Sequence, residues 1–132
     1  MIVAVDSSFL FEIIKGGTKA TAAQQALEGA LAQGTVCVCE AVVAELGRYF
    51  QTTEHLEQFL QACQIEFSAM SKVSALTAAR IMRQYALNGG KREKVVADFL
   101  IGAHALNQSD ALLTLDAGFY REYFEGLKVI DA

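Results

Sequence analysis

Residues 1–6 read MIVAVD and residues 111–116 read ALLTLD. Each is a short apolar run closed by an aspartate, and the first is rich in β-branched side chains. Such a run with no polar alternation is a strand covered on both faces, which belongs inside a parallel sheet. The segments between the two runs support that reading. Phe9 to Lys15 reads as a short helix stopped by Gly16-Gly17, and Thr18 caps a second helix through about Gln33. Thr35 to Cys39 is the second strand, Glu40 to about Phe50 a helix, and Thr52 or Thr53 to Ala62 another. Ile65 to Phe67 is a brief third strand. Ser71 or Ser74 caps a long helix to about Leu87, closed by Asn88-Gly89-Gly90. Lys91 to Leu106 is helical in its later part, Ala111 to Leu115 is the fourth strand, Gly118 to Phe124 a short helix and Val129-Ile130 a last strand. Strands alternate with helices throughout. The expected fold is a single α/β domain over residues 1–132, with a central parallel sheet of about five short strands and helices on both faces.

Composition narrows the function classes. The chain is 53% hydrophobic with a mean hydropathy of +0.29. A large core accounts for that, and so does surface covered by a partner or a second copy. No apolar uncharged run is long enough for a membrane-spanning helix. MIVAVDSSFL has no basic stretch and reads as a strand, not as a secretion signal. Of the three cysteines, Cys37 and Cys39 share one strand face and read as small buried hydrophobes. A zinc site would need more ligands than these and the two histidines, His55 and His104, offer. The odd count fits a reducing, cytoplasmic setting. His104 reads as a packed structural residue. The net charge of −4 excludes a generally basic nucleic-acid binder. Yet Arg80, Arg83, Lys91, Arg92 and Lys94 fall within one stretch that contains a single acid, Glu93. That stretch is either a solvated helix face and loop or a rim for a phosphate backbone beside an acidic centre.

The acidic centre is the sharper signal. Asp6 and Asp116 stand where strands end, and ligands of open α/β sheets bind beyond those ends. Taken alone, each also reads as a helix N-cap. Asp98 interrupts KVVADFLIGAHAL and Glu45 interrupts AVVAELGRYF, both otherwise apolar. A cap for Asp98 and a surface pair with Arg48 for Glu45 are the plainer alternatives. Together, four acids in apolar surroundings need a counter-charge, and a divalent cation supplies one. Carboxylate oxygens suit Mg²⁺ or Mn²⁺ better than zinc. The matching chemistry is metal-assisted phosphodiester hydrolysis. Ser7, Ser8 and Thr114 are placed to orient a carboxylate. Glu40 and Asp110 are acids close to the pattern but outside it.

VDSSFL, VVAELGRYF, VVADFLIGAHAL and LLTLDAGFY, in that order, resemble the four acidic motifs of PIN domains, most nearly the VapC-type toxin ribonucleases of toxin–antitoxin pairs. The resemblance spans essentially the whole chain. It implies that Asp6, Glu45, Asp98 and Asp116 are the catalytic and metal-binding residues, with Thr114 and Ser7 or Ser8 as supporting hydroxyls. It implies a Mg²⁺- or Mn²⁺-dependent endoribonuclease with an RNA substrate, held inactive by a small cognate antitoxin and commonly homodimeric. Three rivals stand beside that expectation: a noncatalytic PIN-like module that binds metal or protein, a nuclease for flapped or single-stranded DNA, and a phosphotransfer enzyme of the aspartyl-phosphate type. The last is disfavoured because Asp6-Ser7-Ser8 lacks a second acid two residues on.

Overall fold

The computed structural model describes residues 1–90 and 94–131. Its elements run β1 (Ile2–Val5), α1 (Ser7–Lys15), α2 (Ala20–Gln33), β2 (Thr35–Val38), α3 (Glu40–Leu46), α4 (Thr53–Ala62), β3 (Ile65–Phe67), α5 (Lys72–Leu87), α6 (Val96–Gln108), β4 (Ala111–Thr114), α7 (Ala117–Tyr123) and β5 (Val129–Asp131). The five strands form one sheet in the order β3-β2-β1-β4-β5, and every pairing is parallel. From β1 the chain builds outward through β2 to β3. It then crosses to the other side of β1 for β4 and β5. Right-handed crossovers therefore lay α1 to α4 on one face and α5 to α7 on the other. The central strands are covered accordingly: Val3, Ala4, Val5 and the whole of β4 are buried.

The order reverses between β1 and β4, and at such a switch point the connections leave in opposite directions and open a crevice beyond the strand ends. In register, Val5 pairs with Leu113, and the Asp6 N–H donates to the Leu113 carbonyl at 3.0 Å. The ends of MIVAVD and ALLTLD are thus side by side, although more than a hundred residues separate them in sequence. The core on both sides of the sheet is aromatic and aliphatic, with Phe9, Leu10, Leu46, Phe99, Ile101, Tyr120 and Phe124 almost wholly buried. Gly102 lets α6 approach Phe124: a Cβ there would lie 2.4 Å from the ring.

Several boundaries differ from the sequence reading. α1 begins at Ser7, with the Ser8 hydroxyl turned to the Asp6 carboxylate and the Ser7 hydroxyl to Glu45, so no side chain caps the helix. α2 begins at Ala20, after Lys19 and not Thr18. α3 stops at Leu46, and Gly47–Tyr49 tighten into a 3-10 turn. Of the paired candidates, Thr52 and Ser71 are the caps, accepting from the N–H of His55 and Ser74 at 3.1 Å each. Cys37 and Cys39 are buried, and burial pushes the Cys37 thiol up to about 11, so both behave as hydrophobes. No helix among the described residues is long and apolar enough to cross a membrane.

Candidate active site

Asp6 occupies the N-cap position of α1, yet its carboxylate caps nothing. It is only 2% exposed. Thr114 Oγ1 donates to its Oδ2 at 2.9 Å and Ser8 Oγ donates to the same oxygen at 3.1 Å. A buried carboxylate is tolerated where such donors replace lost water. The direction of the threonine bond is fixed. Thr114 Oγ1 accepts the Asp116 N–H at 2.9 Å, so its own proton points at Asp6. One hydroxyl thereby clamps the end of β1 to the end of β4.

Ser7 brings in the opposite wall. Its Oγ donates to Glu45 Oε1 at 2.6 Å and lies 3.4 Å from Asp6 Oδ1. A hydroxyl has one proton, and the shorter contact takes it. Glu45 therefore faces the site from α3 and makes no ion pair with Arg48 among the described residues. Glu40, the near neighbour in sequence, is spent elsewhere: its carboxylate accepts the Met70 N–H at 2.9 Å. Asp110 likewise accepts the Ile2 N–H at 2.6 Å, pinning the start of β1.

Asp98 sits in the first turn of α6, where its Oδ2 accepts the Val95 N–H at 3.0 Å. This is half of a capping box, because Val95 has no side-chain acceptor to return. The cap reading for Asp98 is therefore true in part, and it leaves the rest of the carboxylate facing Asp6 and Glu45. Burial is the main cause that pushes the Asp98 carboxyl above its ordinary value; the Val95 N–H and Lys94 pull it down, and the charges of Asp6 and Glu45 push it further up. Asp116 is the N-cap residue of α7, again without a side-chain cap. It pairs with the Lys94 ammonium, which also stands 4.6 Å from the Phe119 ring centroid.

All four acids line one cleft of about 330 Å³, together with Ser7, Ser8, Phe11, Arg48, Tyr49 and Val95. Side chains from α1, α3, α6 and the β4–α7 junction meet there. As the side chains stand, each carboxylate is turned to its own partner, and no three acids among the described residues form a ready metal-holding group. The donor chemistry nevertheless fits a hard cation: the facing atoms are carboxylate and hydroxyl oxygens. One buried donor behind them is orphaned. Tyr120 is fully buried, and its hydroxyl lies beside Asp6 outside hydrogen-bonding geometry, with no partner.

The expected basic rim divides. Lys94 lies in the site, on Asp116. Arg80 and Arg83 are exposed on α5, and Arg80 opens onto a separate, larger cleft of about 500 Å³ with Glu122 and Glu125. That larger cleft holds none of the four acids. Lys91 and Arg92 lie outside the described residues. His104 is buried and bonded to Ser68 at 3.0 Å, a structural residue as its sequence setting suggests. Sequence reasoning missed Phe11, Tyr49 and Tyr120 as parts of this region. The available signal was helical spacing: Tyr49 and Tyr120 each follow a site acid by four residues.

A model of the PIN domain family matches residues 3–125. The chain belongs to that family. Among curated proteins, none matches the sequence. Solved structures similar to this PIN domain include VapBC2 from Rickettsia felis bound to a DNA fragment from its promoter, with 18% identity and a TM-score of 0.79 over 99% of this chain and 98% of that one. VapBC-1 from nontypeable Haemophilus influenzae has 16% identity and a TM-score of 0.76 over 99% and 98%. FitAcB from Neisseria gonorrhoeae has 22% identity and a TM-score of 0.64 over 99% and 97%. At such identities the likeness is one of fold. The resemblance read from the four acidic motifs holds for the family, and the expected parallel α/β sheet is the observed one.

Proposed function

We propose that this PIN domain is a metal-dependent endoribonuclease, the toxin of a toxin–antitoxin pair. The observation that carries the reading is the convergence of Asp6, Glu45, Asp98 and Asp116 on one cleft at the switch point of the sheet. Four separate stretches of chain deliver one acid each, which helix capping alone does not require. In this reading the four carboxylates hold Mg²⁺ or Mn²⁺. Such a cation supplies an acidified water and positive charge beside the attacked phosphate. The chain's own residues prepare the place. Thr114 and Ser8 fix the Asp6 carboxylate, Ser7 holds Glu45 toward it, and the Val95 N–H orients Asp98. Lys94 pairs with Asp116 and neutralises its charge in the cation-free chain.

The resemblance to VapC-type toxins supplies the analogy for the partner: a small antitoxin that would cover the cleft. A homodimer, RNA as the substrate and a cytoplasmic setting belong to the same proposal. The experiment is incubation of the purified chain with a mixed structured RNA pool in Mg²⁺, in Mn²⁺ and in EDTA, beside Asp98→Asn. Cutting that needs the cation and is lost in the variant is the expected result. No cutting by folded, cation-loaded wild type would transfer the reading to a noncatalytic module that binds metal or protein.

A further inference from the structure

Behind the acids, α7 buries Tyr120 completely. Its ring packs against Phe119 and Phe124, with centroids 5.0 Å and 5.7 Å away. A phenylalanine would fill that space equally well, so packing gives no reason for a hydroxyl. The hydroxyl is buried and has no hydrogen-bond partner among the described residues. A buried O–H without an acceptor costs its full desolvation, whereas an apolar group of the same shape costs nothing. Burial, then the charges of Asp6 and Asp98, holds the phenol well above its ordinary range, so it remains an O–H donor.

The acceptor within reach is Asp6, and its two oxygens are unequally supplied. Oδ2 accepts from Thr114 at 2.9 Å and from Ser8 at 3.1 Å. Oδ1 has only Ser7 at 3.4 Å, and the Ser7 proton is spent on Glu45 at 2.6 Å. A donor without an acceptor thus stands beside a carboxylate with an undersupplied oxygen. The four acids are also turned to separate partners, so Asp6 must turn for them to hold one cation in common. A carboxylate that turns toward the cleft presents a different edge to the protein behind it. We infer that Tyr120 is a positioning residue: its hydroxyl donates to the Asp6 carboxylate in the arrangement of the acids that holds a divalent cation, and so favours that arrangement. The bond is made in one arrangement and not in the other, which is what shifts a balance between the two. The inference rests on the cation reading proposed above and adds to it a residue outside the cleft.

The test is Tyr120→Phe, which removes one oxygen and keeps the ring. Calorimetric titration with Mn²⁺ should show affinity about tenfold weaker than wild type, the scale of one hydrogen bond to a charged group. In EDTA the thermal midpoint of the variant should equal or exceed that of wild type, because the lost hydroxyl had no partner there. A merely structural tyrosine would instead lower the midpoint in EDTA and in Mn²⁺ alike, and that result overturns the inference. The near-ultraviolet difference spectrum on adding Mg²⁺ reads the phenol directly. Among the four tyrosines of the chain, the signal should persist in Tyr49→Phe and vanish in Tyr120→Phe. No phenol signal in wild type overturns the inference without any variant having to fold. If wild type and Tyr120→Phe bind Mn²⁺ equally well, the cation site stands without Tyr120. If wild type binds no Mn²⁺, both fall.

Discussion

At the scale of single residues, the site is a case of charge held in place by hydroxyls. Asp6 is almost fully buried and depends on Thr114 and Ser8 for the hydrogen bonds that water would otherwise give. Asp98 is held less comfortably, because burial and the nearby charges of Asp6 and Glu45 raise its pKa above the ordinary 3.8. The sign of the consequence follows from linkage. In the folded protein Asp98 takes up its proton at a higher pH than in the unfolded chain. Its ionised form therefore destabilises the cation-free fold above the raised value, and the cost disappears as pH falls through it. Asp98→Asn keeps an acceptor for the Val95 N–H and removes the charge. In EDTA its Tm should exceed that of wild type at pH 7, and the gap should close as pH falls toward and below the raised value. A lower Tm for the variant at pH 7 would mean that the Asp98 charge stabilises the fold. Asp98 also shows what was legible at this scale. An acid among Val95, Val96, Ala97, Phe99 and Leu100 is visible as a misfit in sequence. Lys94 was legible as part of a basic rim beside the acids, but its pairing with Asp116 was not, because that reach depends on where α6 begins.

At the scale of elements, the strands were read almost to the residue, since a strand covered on both faces leaves an apolar run with polar ends. Helix ends were harder. Asp-Ser-Ser reads as capping chemistry, and only the structure shows Ser8 bonded to Asp6 and Ser7 to Glu45, with Ser7 and Ser8 already helical. The apolar spacing through Tyr49 continues past Leu46, but the backbone tightens at Gly47, and this turn carries Arg48 and Tyr49 to the cleft mouth. Contacts between elements were the least visible. Gly102 is one: nothing in IGAHAL announces that Phe124 will lie against it. Gly102→Ala places a methyl 2.4 Å from that ring, so α6 or Phe124 must shift. The expected cost is about 1–3 kcal/mol, as for other overpacked cores, read as a lower midpoint in urea unfolding. Pairing it with Phe124→Leu should recover part of the loss if the clash is the cause, and none if it is not.

At the scale of the molecule, the sheet order is what makes a site of scattered acids. Reversal between β1 and β4 places Asp6 beside the start of the Thr114–Asp116 segment, while α3 and α6 each bring one carboxylate across the opening. The same sequence pattern on a sheet without that reversal would leave four unrelated caps and surface acids. The order of the strands could be guessed from the resemblance to PIN domains but not from local patterning, because pairing partners are set by distant contacts. The central claim is that these four acids act as one cation site. The most direct test is titration of the purified chain with Mn²⁺, followed by the loss of the free-ion electron paramagnetic resonance signal, for wild type, Asp6→Asn and Asp98→Asn. Saturable binding by wild type, strongly weakened in both variants while each keeps its cooperative unfolding transition, is the predicted result. Equal Mn²⁺ binding by all three proteins would contradict the account.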